Sequence, residues 1–142
     1  MKKVAVCGSF DGIHEGHKYF FSEAKKKGDL LYVYVVPDQI IINVKGHPPL
    51  HTQLERVELV SKLDCVDYAI PNPFDPDHVI DLIAKLSPEV YCFGHDQKRQ
   101  TGWNQKLKDK LRRCNPHIEI YTIGAYQRHI YSSTRLNKFS PE

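Results

Sequence analysis

The chain has 142 residues, 41% apolar and 26% charged, which is the balance of one soluble domain with room for a core. No apolar run approaches the ~20 residues a membrane helix needs. Met1-Lys2-Lys3 leads straight into a short strand without the apolar stretch of a secretion signal, so a cytoplasmic protein is expected. The net charge of +3 suits an anionic small molecule and is too small to argue for nucleic acid.

In chain order, Val4-Ala5-Val6-Cys7 predicts a buried strand, followed by a tight polar loop, Gly8-Ser9-Phe10-Asp11-Gly12. His14 and His17 follow, with Gly16 between them, at the start of a helix. A strand running through a glycine-bearing loop into a helix start is the usual plan of a phosphate site. The helix offers free N–H groups and a positive dipole end. At i, i+3 the two imidazoles project to the same side, where they suit the charge that develops on a phosphoryl group in transfer. Lys18 to Ala24 reads as helix, Lys25, Lys26 and Lys27 match its C-terminal dipole end, and Gly28 stops it. Leu30 to Val36 reads as a strand buried on both faces.

Pro37 to His51 reads as a long loop, since Pro37, Gly46, Pro48 and Pro49 flank its apolar middle, Ile40-Ile41-Ile42. It holds a single lysine, Lys45. Thr52-Gln53-Leu54-Glu55 is a capping box that opens the next helix, with Arg56 on its polar side. A strand over Val66–Ile70 leads to a Pro- and Asp-rich loop with Phe74 at its tip. Asp77 is then expected to cap a helix reaching about Leu86. Val90–Phe93 is another strand, and Gly94-His95-Asp96-Gln97 lies at its C-terminal edge, where open α/β sheets bind ligands. A basic helix over Trp103–Arg113, a strand over Ile118–Ile123 and a last helix capped by Ser132 or Ser133 complete the chain.

This alternation predicts a single-domain α/β fold, a Rossmann-like parallel sheet with helices on both faces. It should bring Gly8–His17, Gly94–Gln97 and Ser132–Arg135 to one sheet edge. The cysteines Cys7, Cys65, Cys92 and Cys114 form no CxxC pair and read as buried thiols. His14, His17 and His95 have side chains zinc could use, but no ligand spacing, so no metal site is assigned.

GSFDGIHEGH resembles the GxFDxxHxGH signature of the cytidylyltransferase-like nucleotidyltransferases. The resemblance implies that His14 and His17 stabilise the pentavalent α-phosphate and the departing pyrophosphate. It implies that Lys45 is the lysine that contacts the nucleotide phosphates. It also implies nucleotide contacts from Gly8, Ser9, Phe10, Asp11, Gly16, Gly94, Asp96, Gln97, Ser132, Ser133, Thr134 and Arg135. Asp11 either caps a turn or orients a metal-bound phosphate, and Mg²⁺ is expected with the triphosphate. QLERVELVSKLDCVDYAI is similar to the family's RxxxVxxLxxVDxxI segment, whose arginine supports the active site or a subunit contact. Family members are commonly dimers, which implies a homodimer with its contact around Arg56 and Phe74.

Ser132-Ser133-Thr134-Arg135-Leu136 resembles the family's ISTTKI or SSSKI, with Arg135 for lysine. The RTEGI that precedes it in the cytidylyltransferases is replaced by Gln127-Arg128-His129-Ile130-Tyr131. Gly94-His95-Asp96-Gln97 resembles the GYDQ of archaeal-type FAD synthases rather than the GDDW of glycerol-3-phosphate cytidylyltransferases. The favoured implication is transfer of AMP from ATP to FMN with release of pyrophosphate, with a flavin wall drawn from Phe10, Phe74, Trp103 and Tyr131. The alternative is a cytidylyltransferase acting on glycerol-3-phosphate or a phosphoalcohol amine. A third reading, from another class, is a nucleotide-binding protein without catalysis.

Overall fold

A computed structural model describes residues 1–95 and 101–126. The described chain runs β1 (Lys3–Gly8), α1 (Glu15–Lys25), β2 (Leu30–Val35), α2 (Asp38–Lys45), α3 (Gln53–Ser61), β3 (Tyr68–Pro71), α4 (Pro76–Leu86), β4 (Val90–Gly94), α5 (Thr101–Cys114) and β5 (Glu119–Ile123). The strands form one parallel sheet in the order β3-β2-β1-β4-β5, as the alternating pattern predicts. Parallel neighbours need crossovers, and the helices supply them.

β1 is the central strand, with Val4 opposite Leu31 on one side and Val90 on the other. Its period of two divides the core. Val4 and Val6 pack with Phe21 and Ala24 of α1 and Val60 of α3. Ala5 and Cys7 pack on the other face with Val79, Ile80 and Ile83 of α4 and Leu107 and Leu111 of α5. The strand order reverses between β1 and β4, so a crevice opens at their C-terminal ends, where Gly8 and Gly94 stand.

The structure corrects the sequence reading at several places. Pro37–His51 is not all loop, because Asp38–Lys45 forms α2. The residues that read as breakers are its boundaries: Pro37 is the N-cap, and Gly46, at φ 79°, takes the left-handed C-cap position. Asp38 in the first turn and Lys45 in the last match the helix dipole, and Ile41 is buried. α4 is capped by Asp75 rather than Asp77, with the Asp77 N–H donating to Asp75 Oδ1 at 3.2 Å. Cys7 and Cys92 are buried and hold their thiols at about 12 through burial, but Cys114 is exposed. No helix among the described residues is long and apolar enough to cross a membrane.

Candidate active site

The loop after β1 is built around one buried ring. Phe10 has φ 50°, a left-handed backbone that a bulky residue rarely takes. The conformation is held by packing: its ring is 6% exposed, with its centroid 4.7 Å from that of Phe21. A Cβ on Gly8 would lie 2.7 Å from Phe10 Cζ, so glycine at position 8 makes room for this ring. Phe10 in turn meets His17 edge-on, with centroids 5.7 Å apart, and so forms the floor beneath that imidazole.

His14 is the N-cap of α1, and His17 is its third helical residue. The Gly16 N–H donates to His14 Nδ1 at 3.0 Å, and the His14 N–H donates to His17 Nδ1 at 3.2 Å. The two rings stack 3.9 Å apart at 28°. Because each Nδ1 accepts from a backbone N–H, each neutral ring carries its proton on Nε2. Capping therefore uses only Nδ1 of each ring and leaves the protonated Nε2 outside the cap. A Cβ on Gly16 would come 2.9 Å from His14 Cε1, so the glycine between the histidines lets the first ring fold over the helix start.

Two charged side chains fasten this loop. Arg56, expected on the polar side of α3 and to support either the active site or a subunit contact, is 0% exposed and turned inward. Its Nη1 donates to the Ser9 carbonyl at 2.8 Å, its Nε to the His51 carbonyl at 3.1 Å and its Nη2 to Asp38 Oδ1 at 2.7 Å. Asp11 accepts from the Leu50 N–H through Oδ2 at 2.8 Å and from the His51 N–H through Oδ1 at 3.1 Å. Its carboxylate is thus spent on holding two chain segments together and is absent from the cavity lining. A sequence signal for the burial of Arg56 existed. It lies four residues before Val60 and seven before Leu63, on the apolar stripe of α3.

A cavity of about 720 Å³ crosses the sheet edge above β1 and β4. Gly8, Ser9, Phe10, His14, Gly16, His17, Lys45 and Gly94 all line it, so these expected site residues meet in one place. Sequence reasoning missed two contributors to it: α2, which brings Ile40 and Val44, and Asn72, a buried residue after β3. Phe74 and Trp103 are in the lining as expected, and so is Phe10, whose ring is largely buried beneath His17. Among the described residues, no group of three His, Cys, Asp or Glu side chains is placed to hold a metal ion. The expectations for Asp96, Gln97, Ser132, Ser133, Thr134, Arg135 and Tyr131 lie outside the described residues.

Comparison with known proteins bears on the family and the fold. The cytidylyltransferase-like family model matches residues 5–139. A FAD synthase from Ferroglobus placidus is 38% identical over 88% of this chain and 78% of its own. A FAD synthase from Archaeoglobus profundus is 36% identical over 97% of this chain and 85% of its own. Among solved structures, a lipopolysaccharide core biosynthesis protein from Thermoplasma volcanium superposes with a TM-score of 0.75 at 30% identity, covering 89% of this chain and 98% of that one. Thermotoga maritima TmcAL, solved with alpha-thio ATP, shares the fold at a TM-score of 0.61 and 15% identity, covering 95% of this chain and 51% of that one. The chain belongs to the cytidylyltransferase-like family, and it is a nucleotidyltransferase.

Proposed function

We propose that this enzyme transfers AMP from ATP to FMN, giving FAD and pyrophosphate. The observation that carries the reading is the 38% identity to a FAD synthase over most of both chains. The shape of the cavity supports it, since a histidine pair at a helix start adjoins an apolar end formed by α2, Phe74 and Trp103.

The reaction follows from the chemistry of the groups present. An oxygen of the FMN phosphate, already an anion near neutral pH, attacks the α-phosphorus of ATP. The new P–O bond forms as the bond to the bridging oxygen of pyrophosphate breaks. No covalent enzyme intermediate and no protein nucleophile is required. The Nε2–H groups of His14 and His17 donate to the equatorial and leaving oxygens, and the first-turn N–H groups of α1 add their dipole. Lys45, exposed at the end of α2, supplies a cation to the triphosphate. Gly8, Ser9 and Gly16 allow the phosphates to come close to the backbone. Mg²⁺ bound with ATP would supply charge neutralisation at the triphosphate oxygens, while Asp11 stays committed to the Leu50 and His51 N–H groups.

The test is pyrophosphate release with ATP or CTP crossed with FMN, glycerol-3-phosphate, phosphoethanolamine and phosphocholine. Only ATP with FMN should release pyrophosphate, with FAD in equal amount. Release from CTP with a phosphoalcohol, and none from ATP with FMN, would replace this reading by the cytidylyltransferase one.

A further inference from the structure

The cavity has two unlike ends. One lies against α1 and the chain after β5, where Phe20, Gly124 and Tyr126 line it. The other lies between α2 and the turn after β3, where Ile40, Val44, Pro73, Phe74 and Trp103 gather. Val44 is 59% exposed and Phe74 54% exposed, so two large apolar side chains stand in solvent at the mouth of this end. Trp103 Nε1 donates to the Pro76 carbonyl at 3.0 Å, which pins the indole to the turn that carries Phe74. The wall is flat, apolar and partly aromatic, as a fused-ring ligand requires.

One polar side chain is set into this wall. Asn72 is 4% exposed, and its backbone is fixed by the Val35 carbonyl and by Gln53 Nε2. Among the described residues its side chain has a single tie, Nδ2 donating to Cys7 Sγ at 3.3 Å, and its Oδ1 has no hydrogen-bond partner. Burial holds the Cys7 thiol at about 12, so the sulfur is a neutral, weak acceptor. A buried carbonyl oxygen without a donor is costly, and a native structure keeps one for a reason. The carboxamide can leave a thiol cheaply for a better partner.

We propose that the end between α2 and the 72–76 turn receives the ring system of the acceptor, and that Asn72 is the specificity residue that reads the ring's imide edge. This rests on FMN being the acceptor. An oxidised isoalloxazine presents one N–H, at N3, flanked by two carbonyls. The Asn72 carboxamide is the complement of that edge: Oδ1 accepts from N3–H, and Nδ2 donates to a neighbouring carbonyl in place of Cys7. Phe74 and Trp103 supply the faces for the rings, and the phosphate tail runs back toward Lys45 and the histidines.

The experiment compares FMN with N3-methyl-FMN in the wild type, Asn72→Ala and Phe74→Ala, following FAD formation and FMN fluorescence. Asn72→Ala should raise KM for FMN about tenfold, the cost of one lost hydrogen bond to a buried group, and leave KM for ATP unchanged. The wild type should discriminate against N3-methyl-FMN by a similar factor, and Asn72→Ala should not discriminate. Phe74→Ala, at an exposed position that cannot unfold the chain, should lose part of the quenching of FMN on binding. Equal use of FMN and its N3-methyl analogue by the wild type would overturn the assignment. So would a rise in KM for ATP alone in Asn72→Ala, which would exchange the two ends. If Asn72→Ala does not fold, the wild-type comparison and Phe74→Ala still decide. FAD formation that persists without these effects sinks only the placement, whereas a wild type that makes no FAD sinks the acceptor reading itself.

Discussion

Two segments face each other across the cavity and are held very differently. The loop Gly8–His17 is fixed along its whole length: by the buried Phe10 ring, by the capping box of His14 and His17, and by the grip of Arg56 on the Ser9 carbonyl. The segment Pro37–His51 is fixed at its ends and by Ile41, the buried residue of α2. Arg56 holds Asp38 at one end, and Arg56 and Asp11 hold Leu50 and His51 at the other. Between them Asn43, Val44, Lys45, Gly46 and His47 are exposed. The same two charged residues thus lock the Gly8–His17 loop and pin the roots of the segment opposite it. Under the proposed reaction, the contrast puts His14 and His17 on the fixed side, where preorganisation is worth most, and Lys45 on the side that can adjust.

The largest effect should come from the fixed side. His14→Asn and His17→Asn place an amide oxygen near Nδ1, so each keeps the cap and loses the Nε2–H donor. Turnover should fall about 10²-fold or more in each, as for other preorganised charge stabilisers, with the melting temperature little changed. His14→Gln and His17→Gln reach the Nε2 position instead and should recover part of the turnover while losing stability. If the Asn variants turn over normally, the division of labour between the two nitrogens is wrong.

Arg56 tests whether both segments depend on one residue. Arg56→Met removes a buried cation and leaves the Ser9 and His51 carbonyls unpaired, which should cost about 2–4 kcal/mol of stability. Turnover and KM for ATP should worsen together, because loop and cover lose their shared anchor. Arg56→Lys, which cannot form the fork, should recover the charge but little of the positioning. A variant that loses stability yet keeps both kinetic parameters would show that the anchor serves the fold alone.

The fold was legible because its signals are local and mutually consistent. The strand patterns, the Thr52–Glu55 capping box and the glycine between the histidines each fixed one element by short-range chemistry. The histidine pair stood out through its resemblance to the GxFDxxHxGH signature. What was hidden was tertiary. Arg56 is charged and reads as surface, yet its position in the stripe with Val60 and Leu63 carries it into the core, where three acceptors meet it. α2 was masked by its own caps, since Pro37 and Gly46 signal a break as readily as a boundary. Asn72 gives no sequence signal, because its significance is an oxygen without a partner among the described residues.

On the adjustable side the expected effects are smaller. Lys45→Ala should raise KM for ATP about tenfold, the worth of one charged contact, with KM for FMN nearly unchanged. Proteolytic cleavage between Asn43 and His47 should slow when ATP and Mg²⁺ are added, and should slow less in Lys45→Ala. Equal cleavage with and without saturating nucleotide would mean that this segment does not close on the triphosphate.

The smallest effect tests whether the catalytic loop is held locally or through the far end of its helix. α1 carries His17 at its start and Lys25 at its end, and Lys25 Nζ pairs with Asp67 Oδ2 at 2.5 Å, which also accepts from the Leu31 N–H at 2.8 Å. Burial works against ionisation of Asp67, but Lys25 and the Leu31 N–H outweigh it and hold the carboxyl below its usual range. A carboxyl with a depressed folded pKa contributes stability above its ordinary pKa of about 4 and loses that contribution as pH falls through the folded value. Asp67→Asn should therefore be less stable than the wild type by about 1 kcal/mol at neutral pH, as for a partly exposed pair, and the gap should close in acid. Melting temperatures from neutral pH down to about pH 3 measure it. A gap that stays constant with pH would mean the pair contributes packing and no charge. If Arg56 and Asp11 fix the loop on their own, Asp67→Asn should turn over ATP and FMN like the wild type at neutral pH. A drop in turnover comparable to that of Arg56→Lys would show instead that the histidines are positioned along the whole of α1.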